Sequence, residues 1–186
     1  MLGAMPSQAE TGARESGKPM LSGMFIAPTL TGREDAWTQD DWNTAMEQMK
    51  GIGVDQVVVQ YAVYFYSEYN KAYFYTPAFE TAETGTEAQR QQLPFILQAA
   101  KAAGVQVWLG LSLYEDAWFS GITSAFNDVD SAGRSQFLTE SEQYAERVFD
   151  DLWSQFQGEY GDTIAGWYLP FEFNNENLTQ GNGGID

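Results

Sequence analysis

Two similar joints between a helix and a strand constrain the fold of this chain more than any other feature. The segments "MKGIGVDQVVVQY" (49–61) and "AKAAGVQVWLGL" (100–111) each end a helical pattern at glycine and continue as an apolar run. Val57, Val58 and Val59 are consecutive, as in strands that are covered on both faces. A joint of this kind that occurs twice predicts parallel strands connected through helices.

The rest of the chain continues this alternation. Four apolar stretches have the composition of strands: residues 21–29, 55–66, 105–113 and 163–172. Thr38 with Asp41 and Thr86 with Gln89 have capping-box spacing and predict two helix starts, and a third helix is predicted over roughly 134–157. The pattern predicts an α/β fold with four parallel strands in sequential order and three helices on the outer face. Four strands form either an open doubly wound sheet or half of an eight-stranded barrel.

The connections indicate where a site would lie. The segments that lead from strand to helix are longer than those that lead back, and long loops at the carboxyl ends of strands carry the sites of α/β folds. "APTLTGRED" (27–35), after the first strand, has neither a Gly-rich dinucleotide loop nor a P-loop. "NDVDSAG" (127–133) fails the calcium-loop pattern and favours a plain polar turn. We predict no metal and no cofactor.

Charge and composition exclude several classes of partner. The chain has 9 basic and 26 acidic residues, a net charge of −17, and neither histidine nor cysteine. Such a surface disfavours nucleic acid and anionic membranes and suits a neutral substrate. No run approaches the roughly 18 apolar residues of a membrane span. Acid–base chemistry therefore falls to Asp, Glu, Tyr or Lys.

Domain organisation is simple. Residues 1–20 lack the apolar core of a signal peptide and are expected to form a flexible N-terminal tail. Residues 21–186 are expected to form a single domain of four βα units, about half a barrel.

Four segments carry a resemblance to a known family. "GMFIAPT", "MKGIGVDQVVVQY", "AAGVQVWLGL" and "GWYLPFE", in this order, resemble an uncharacterised bacterial domain-of-unknown-function family grouped with glycoside-hydrolase-type TIM barrels. The resemblance covers roughly residues 21–177, and "GWYLPFE" is its most specific part. It implies a full barrel, of which this sequence holds the first four βα units, and a glycoside hydrolase in the periplasm or outside the cell.

The resemblance also implies a general acid/base. In barrel glycosidases this residue often ends the fourth strand, where Glu172 lies, although here Phe171 replaces the asparagine that precedes it in the largest clan. The alternative is a carboxylate that caps the strand by accepting backbone hydrogen bonds, and for Glu176 that alternative is favoured. The second carboxylate would be Glu115 or Asp116, because strand tips about 4.8 Å apart can bring carboxyl groups to catalytic separations. For these two acids a solvated loop is the favoured alternative.

Aromatic and amide side chains near the predicted strand ends suit a sugar. Residues 61–79 contain nine aromatic rings, which could stack on sugar C–H faces or pack the loop against the barrel rim. The candidate substrate-binding residues are Gln60, Tyr61, Tyr114, Trp118, Asn174 and Asn175.

Two functional classes follow: a glycoside hydrolase-like protein acting on or binding a poly- or oligosaccharide, or a non-catalytic carbohydrate-binding half-barrel without a second catalytic carboxylate. Four βα units would leave two open sheet edges. Either a second copy of the chain closes the barrel as a homodimer, or a C-terminal half beyond this sequence completes it.

Overall fold

The secondary structure alternates between strands and helices. The structure, a computed structural model, describes residues 21–27, 37–66, 71–72, 83–84, 90–114 and 131–170. The described strands are β1 (Gly23–Ile26), β2 (Gln56–Val59), β3 (Val63–Tyr66), β4 (Lys71–Ala72), β5 (Glu83–Thr84), β6 (Gln106–Gly110), β7 (Ser112–Tyr114) and β8 (Ile164–Tyr168). The described helices are α1 (Gln39–Gly51), α2 (Gln92–Ala103) and α3 (Ser131–Tyr160).

A four-stranded parallel sheet lies at the centre of the fold. Its strands are ordered β1-β2-β6-β8, which is their order along the chain, and each neighbouring pair is parallel. The register places Phe25, Val58, Trp108 and Gly166 side by side in one row across the sheet. The prediction of an α/β fold with parallel strands in sequential order is therefore confirmed.

One face of this sheet packs against all three described helices. Val57, Val59, Val107 and Leu109 are fully buried there. The same core cluster contains apolar residues from each helix: Met46, Leu93, Ile96, Leu97, Val148 and Leu152. Burying a side chain of this size contributes about 1.5–3 kcal/mol, so this face holds the domain together.

The first helix begins at the capping box that the sequence predicts. The Thr38 backbone N–H and hydroxyl donate to the Asp41 carboxylate at 2.9 and 2.7 Å, and the Asp41 N–H donates back to the Thr38 hydroxyl. These hydrogen bonds hold the pKa of Asp41 below its ordinary value. At pH values above the ordinary pKa of an aspartate, about 3.9, the ionised carboxylate therefore stabilises the cap. This stabilisation is lost as the pH falls through the lowered pKa.

The second helix differs from its prediction at the start but not at the end. Its N-cap residue is Gln91, which makes no side-chain capping hydrogen bond, while Thr86 and Gln89 lie outside the described residues. Pro94 lies in the first turn, where its missing N–H costs no helical hydrogen bond. The helix ends at Gly104, whose left-handed backbone (φ 65°) suits glycine.

Two strands that the sequence predicts as continuous are interrupted. The predicted strand 55–66 consists of β2 and β3, and the predicted strand 105–113 consists of β6 and β7. Val59 lies opposite Leu109, and Val63 lies opposite Ser112. The segment between Val59 and Val63 therefore contains one residue more than the segment between Leu109 and Ser112 that it faces. The Ala62 N–H bonds there to the carbonyl oxygens of both Gly110 (2.7 Å) and Leu111 (3.1 Å). This bulge ends the first sheet's pairing.

Beyond the bulge a second sheet begins. Its order is β5-β4-β3-β7, with β3 parallel to β7 and antiparallel to β4. The last part of the predicted strand 55–66 is thus a strand, Val63–Tyr66, but it belongs to the second sheet. Its place in that sheet follows from backbone pairing with β7, which no periodicity within the segment indicates.

Candidate functional site

The carboxyl ends of the four parallel strands are joined by backbone hydrogen bonds. The Gln60 N–H donates to the Ile26 carbonyl oxygen at 2.9 Å, and the Leu111 N–H donates to the Tyr168 carbonyl oxygen at 2.9 Å. The ends of β1, β2, β6 and β8 therefore form one continuous edge, which we call the mouth. Sites of parallel α/β folds lie at this edge.

The second face of the parallel sheet carries aromatic rings. Alternation along the strands places Phe25, Val58, Trp108, Gly166 and Tyr168 on this face, opposite the helices. The rings of Phe25 and Tyr168, from the two edge strands, meet with centroids 5.5 Å apart. In a flat sheet about 14 Å would separate these strands, so the contact indicates a sheet curved towards this face. We call it the concave face.

Trp108 lies across the concave face and is held on both sides. Its indole N–H donates to the Gln56 side-chain oxygen on β2 at 3.1 Å. Its six-membered ring lies over Gly166 on β8, because a Cβ atom added to Gly166 would stand 2.5 Å from Cζ3 of Trp108. The indole nevertheless remains 37 % exposed, and Phe25 is 61 % exposed. The concave face thus presents partly exposed aromatic surface beside the mouth.

Gly110 allows two strands to come close together at the mouth. A Cβ atom at this position would lie 2.5 Å from the Gln60 carbonyl carbon and 2.5 Å from the Val59 carbonyl oxygen. Both are backbone atoms, which cannot swing away as a side chain does. A side chain at position 110 is therefore incompatible with the bulge that shapes this edge.

The structure describes three of the predicted substrate-binding residues. Gln60 is half-buried at the end of β2, and Tyr61 next to it is buried. Tyr114 is the last residue of β7, and Phe65 lies opposite it in the register with β3. Six predicted site residues lie outside the described part of the chain: Glu115, Asp116, Trp118, Glu172, Asn174 and Asn175. No distance between candidate carboxylates follows from the described residues.

Sequence reasoning missed Phe25, Trp108 and Tyr168. The available signal was alternation: Trp108 stands between Val107 and Leu109, which both face the helices. The strands were interpreted as covered on both faces, and strands of that kind are not expected to alternate between buried and exposed residues. On α3, Phe149 and Trp153 contact Trp167, so Trp167 lies on the helix side while its neighbour Tyr168 lies on the concave face.

The concave face is uncharged where it is described. Its polar groups there are the amides of Gln56, Gln60 and Gln106 and the Tyr168 hydroxyl. Among the residues described, no three Asp, Glu, His or Cys side chains are grouped as a metal site would require. No helix in the described ranges is both long and apolar enough to cross a membrane. The uncharged, aromatic concave face suits a neutral ligand with an apolar face.

Comparison with known proteins agrees with this architecture. The sequence model of a family described as a domain of unknown function, DUF4434, matches residues 21–182. The fold is similar to the crystal structure of a "putative alpha-L-fucosidase" from Bacteroides thetaiotaomicron, with a TM-score of 0.56 and 18 % identity. The similarity covers 81 % of this chain but only 41 % of that one. No protein of curated function matches the sequence.

Proposed function

The chain belongs to the DUF4434 family, and we propose that it is a glycoside hydrolase-like protein that cleaves a neutral poly- or oligosaccharide at the mouth. The observation that carries this proposal is the uncharged aromatic concave face at the carboxyl ends of the parallel strands. A sugar ring offers C–H faces to aromatic rings and hydroxyl groups to amides and phenols. The net charge of −17 further disfavours an anionic substrate.

The proposed chemistry uses carboxylates beyond the described strand ends. Glu172 follows Tyr168 by four positions and is the proposed general acid/base, with Glu115 or Asp116 as the second carboxylate. Protonating the leaving oxygen and stabilising the oxocarbenium-like transition state requires two such groups. The proposed substrate contacts are Gln60, Tyr61, Tyr114, Trp118, Asn174 and Asn175.

The direct test is hydrolysis of neutral aryl glycosides by the purified chain. Because the similar structure is described as a fucosidase, 4-nitrophenyl α-L-fucopyranoside is the first substrate, followed by the β-glucoside, β-galactoside and α-mannoside. Release of nitrophenol above the uncatalysed rate is the expected result. The absence of turnover on all four would contradict the proposal.

A second candidate function is sugar binding without catalysis. It is favoured by one observation: no Asp or Glu stands at the described strand ends, in residues 26–27, 59–62, 109–112 and 168–170. Saturable binding of a saccharide without turnover would support this alternative over hydrolysis.

The open edges of the parallel sheet lead to a prediction about assembly. In the described sheet β1 and β8 each have one neighbour, and unpaired edges favour association. We expect two copies to form a closed barrel, β8 of each pairing with β1 of the other, so that both copies of Glu172 reach one mouth. Sedimentation in about 0.15 M salt, where the acidic chains repel less, should give twice the 20.8 kDa chain mass.

A matched pair of variants tests where the copies meet. Phe25 and Ile52 are equally exposed, at 61 %, but only Phe25 lies on the concave face beside an edge. Phe25→Glu should yield monomers, whereas Ile52→Glu at the end of α1 should leave the dimer intact. A folded wild-type chain that sediments as a monomer would rule out closure by a second copy.

A further inference from the structure

We infer that Gln92 is a positioning residue, which together with Gln39 fixes the mouth-side ends of α1 and α2 to one another and holds Trp37 in place. We call the side chains of Gln39 and Gln92 the amide clamp. Trp37 lies in the connection from β1 to α1, directly before the N-cap residue Thr38. The inference depends neither on the cleavage of a sugar nor on what covers the concave face.

The amide clamp lies on the side of the domain where the mouth is. α1 ends at Gly51, shortly before β2 starts, and α2 ends at Ala103, shortly before β6 starts. Each of these helices therefore begins at the opposite end, on the side where the parallel strands finish. Connections on that side build the sites of parallel α/β folds, so the placement of Trp37 bears on any site at the mouth.

Gln92, the first residue of α2, uses both ends of its amide to reach α1 and the connection before it. Its Nε2 group donates to the Trp37 carbonyl oxygen at 2.9 Å, and its Oε1 atom accepts from the Trp42 indole N–H at 2.9 Å. Gln92 and Trp42 are each only 6 % exposed. Removing the Gln92 amide would leave the indole N–H of Trp42 buried without its acceptor, which is costly.

Gln39, the first residue of α1, makes the reciprocal contact. Its Nε2 group donates to the Phe95 carbonyl oxygen on α2 and to the Asn43 side-chain oxygen, both at 3.0 Å. Because a backbone carbonyl can only accept, Nε2 must face Phe95, and Oε1 is left buried with no hydrogen-bond partner in the described part of the chain. An apolar side chain would avoid that cost, so the bond to α2 explains the amide and burial does not.

Apolar packing alone would not fix α1 along α2. The two helices pack against each other, and the buried side chains of both belong to one apolar cluster. Apolar contacts are not directional, whereas hydrogen bonds hold a particular donor to a particular acceptor. The ring of Trp37 contacts that of Trp42, with centroids 4.6 Å apart and planes at 55°. The amide clamp, which bonds to both tryptophans, therefore sets this ring contact.

The experiment follows the coupling between the Trp37 and Trp42 rings by circular dichroism. The difference between the spectra of wild type and Trp37→Phe isolates the signal of this pair from that of the other tryptophans. Gln92→Met has a side chain of similar length that can make neither hydrogen bond. In that background the same difference should be largely lost, and the urea midpoint should fall by about 1 M.

Three other variants separate the amide clamp from general loss of stability. Gln98→Met, the same substitution at an exposed position of the same helix, should leave the ring signal and the midpoint unchanged. Lys50→Met removes the bond from Nζ to the Gly104 carbonyl oxygen (2.9 Å), which joins the exposed far ends of the same two helices, and should leave the ring signal unchanged. Gln39→Met should shift the midpoint less than Gln92→Met, because it also removes a buried oxygen without a partner.

A measurement on the wild-type chain covers the case in which Gln92→Met does not fold. Proton NMR follows exchange of the indole N–H groups, which are assigned by their loss in Trp37→Phe and Trp42→Phe. The Trp42 N–H should exchange at least about a hundredfold more slowly than that of Trp37, which is 46 % exposed. Equal exchange of the two groups, or a ring signal that survives in folded Gln92→Met, would overturn the inference. No result here involves turnover, so the inference and the proposed hydrolysis fail separately.

Discussion

Replacing Glu172 by glutamine is expected to lower turnover of an aryl glycoside by about 10²–10⁴-fold, the contribution of a positioned general acid. Glutamine has nearly the same size and shape but carries no proton that it can give to the leaving oxygen. The measurement is kcat on the substrate that the wild-type chain cleaves best. The loss should be greater for phenyl glycosides than for dinitrophenyl glycosides, because a poorer leaving group depends more on protonation.

Glu176→Gln provides the matched control for this variant. The substitution is the same, it lies four positions further along the chain, and it follows Asn175 in a segment predicted to be a loop. It should leave kcat within about twofold of wild type, a change of less than about 0.5 kcal/mol in the barrier. Equal losses in the two variants, or an unchanged kcat in Glu172→Gln, would remove Glu172 from the proposed mechanism.

The local signals for the parallel sheet were strong in the sequence. Gly104 could be identified as a helix end because a left-handed residue favours glycine, and the structure shows it with φ 65°. Thr38 and Asp41 could be identified as a cap because their reciprocal hydrogen bonds need only a spacing of three residues. Both features depend on contacts within one turn of chain, which a single sequence records directly.

Features that depend on pairing between distant segments could not be predicted in the same way. The bulge at Ala62 arises from bonds to Gly110 and Leu111, almost fifty positions away, and it divides a strand whose composition is continuous. The contact between Phe25 and Tyr168 depends on sheet curvature, and the path of the Trp108 indole depends on Gln56 and Gly166. For this reason the sequence indicated the residue types of the proposed site but not the aromatic surface that the fold presents.

Gly110→Ala is expected to destabilise the domain by about 3 kcal/mol or more, at the upper end of what an overpacked methyl group costs. The new Cβ would stand 2.5 Å from the Gln60 carbonyl carbon and from the Val59 carbonyl oxygen, far inside contact distance. Relief requires β2 and β6 to separate, which weakens the pairing of Val59 with Leu109 next to the bulge. Urea denaturation followed by circular dichroism measures the change in the free energy of unfolding.

Gly158→Ala tests whether this cost comes from the close approach and not from glycine replacement as such. Gly158 lies in α3, and a Cβ atom there would meet no atom within 4 Å. Alanine at an open helical position should therefore stabilise the domain by about 0.5–1 kcal/mol, so the same substitution has opposite signs at the two sites.

Since Gln60 and Gly110 lie at the mouth, Gly110→Ala should also weaken any saccharide binding that survives, while Gly158→Ala should not. A Gly110→Ala domain as stable as wild type would show that β2 and β6 are not held together as closely as the structure has them.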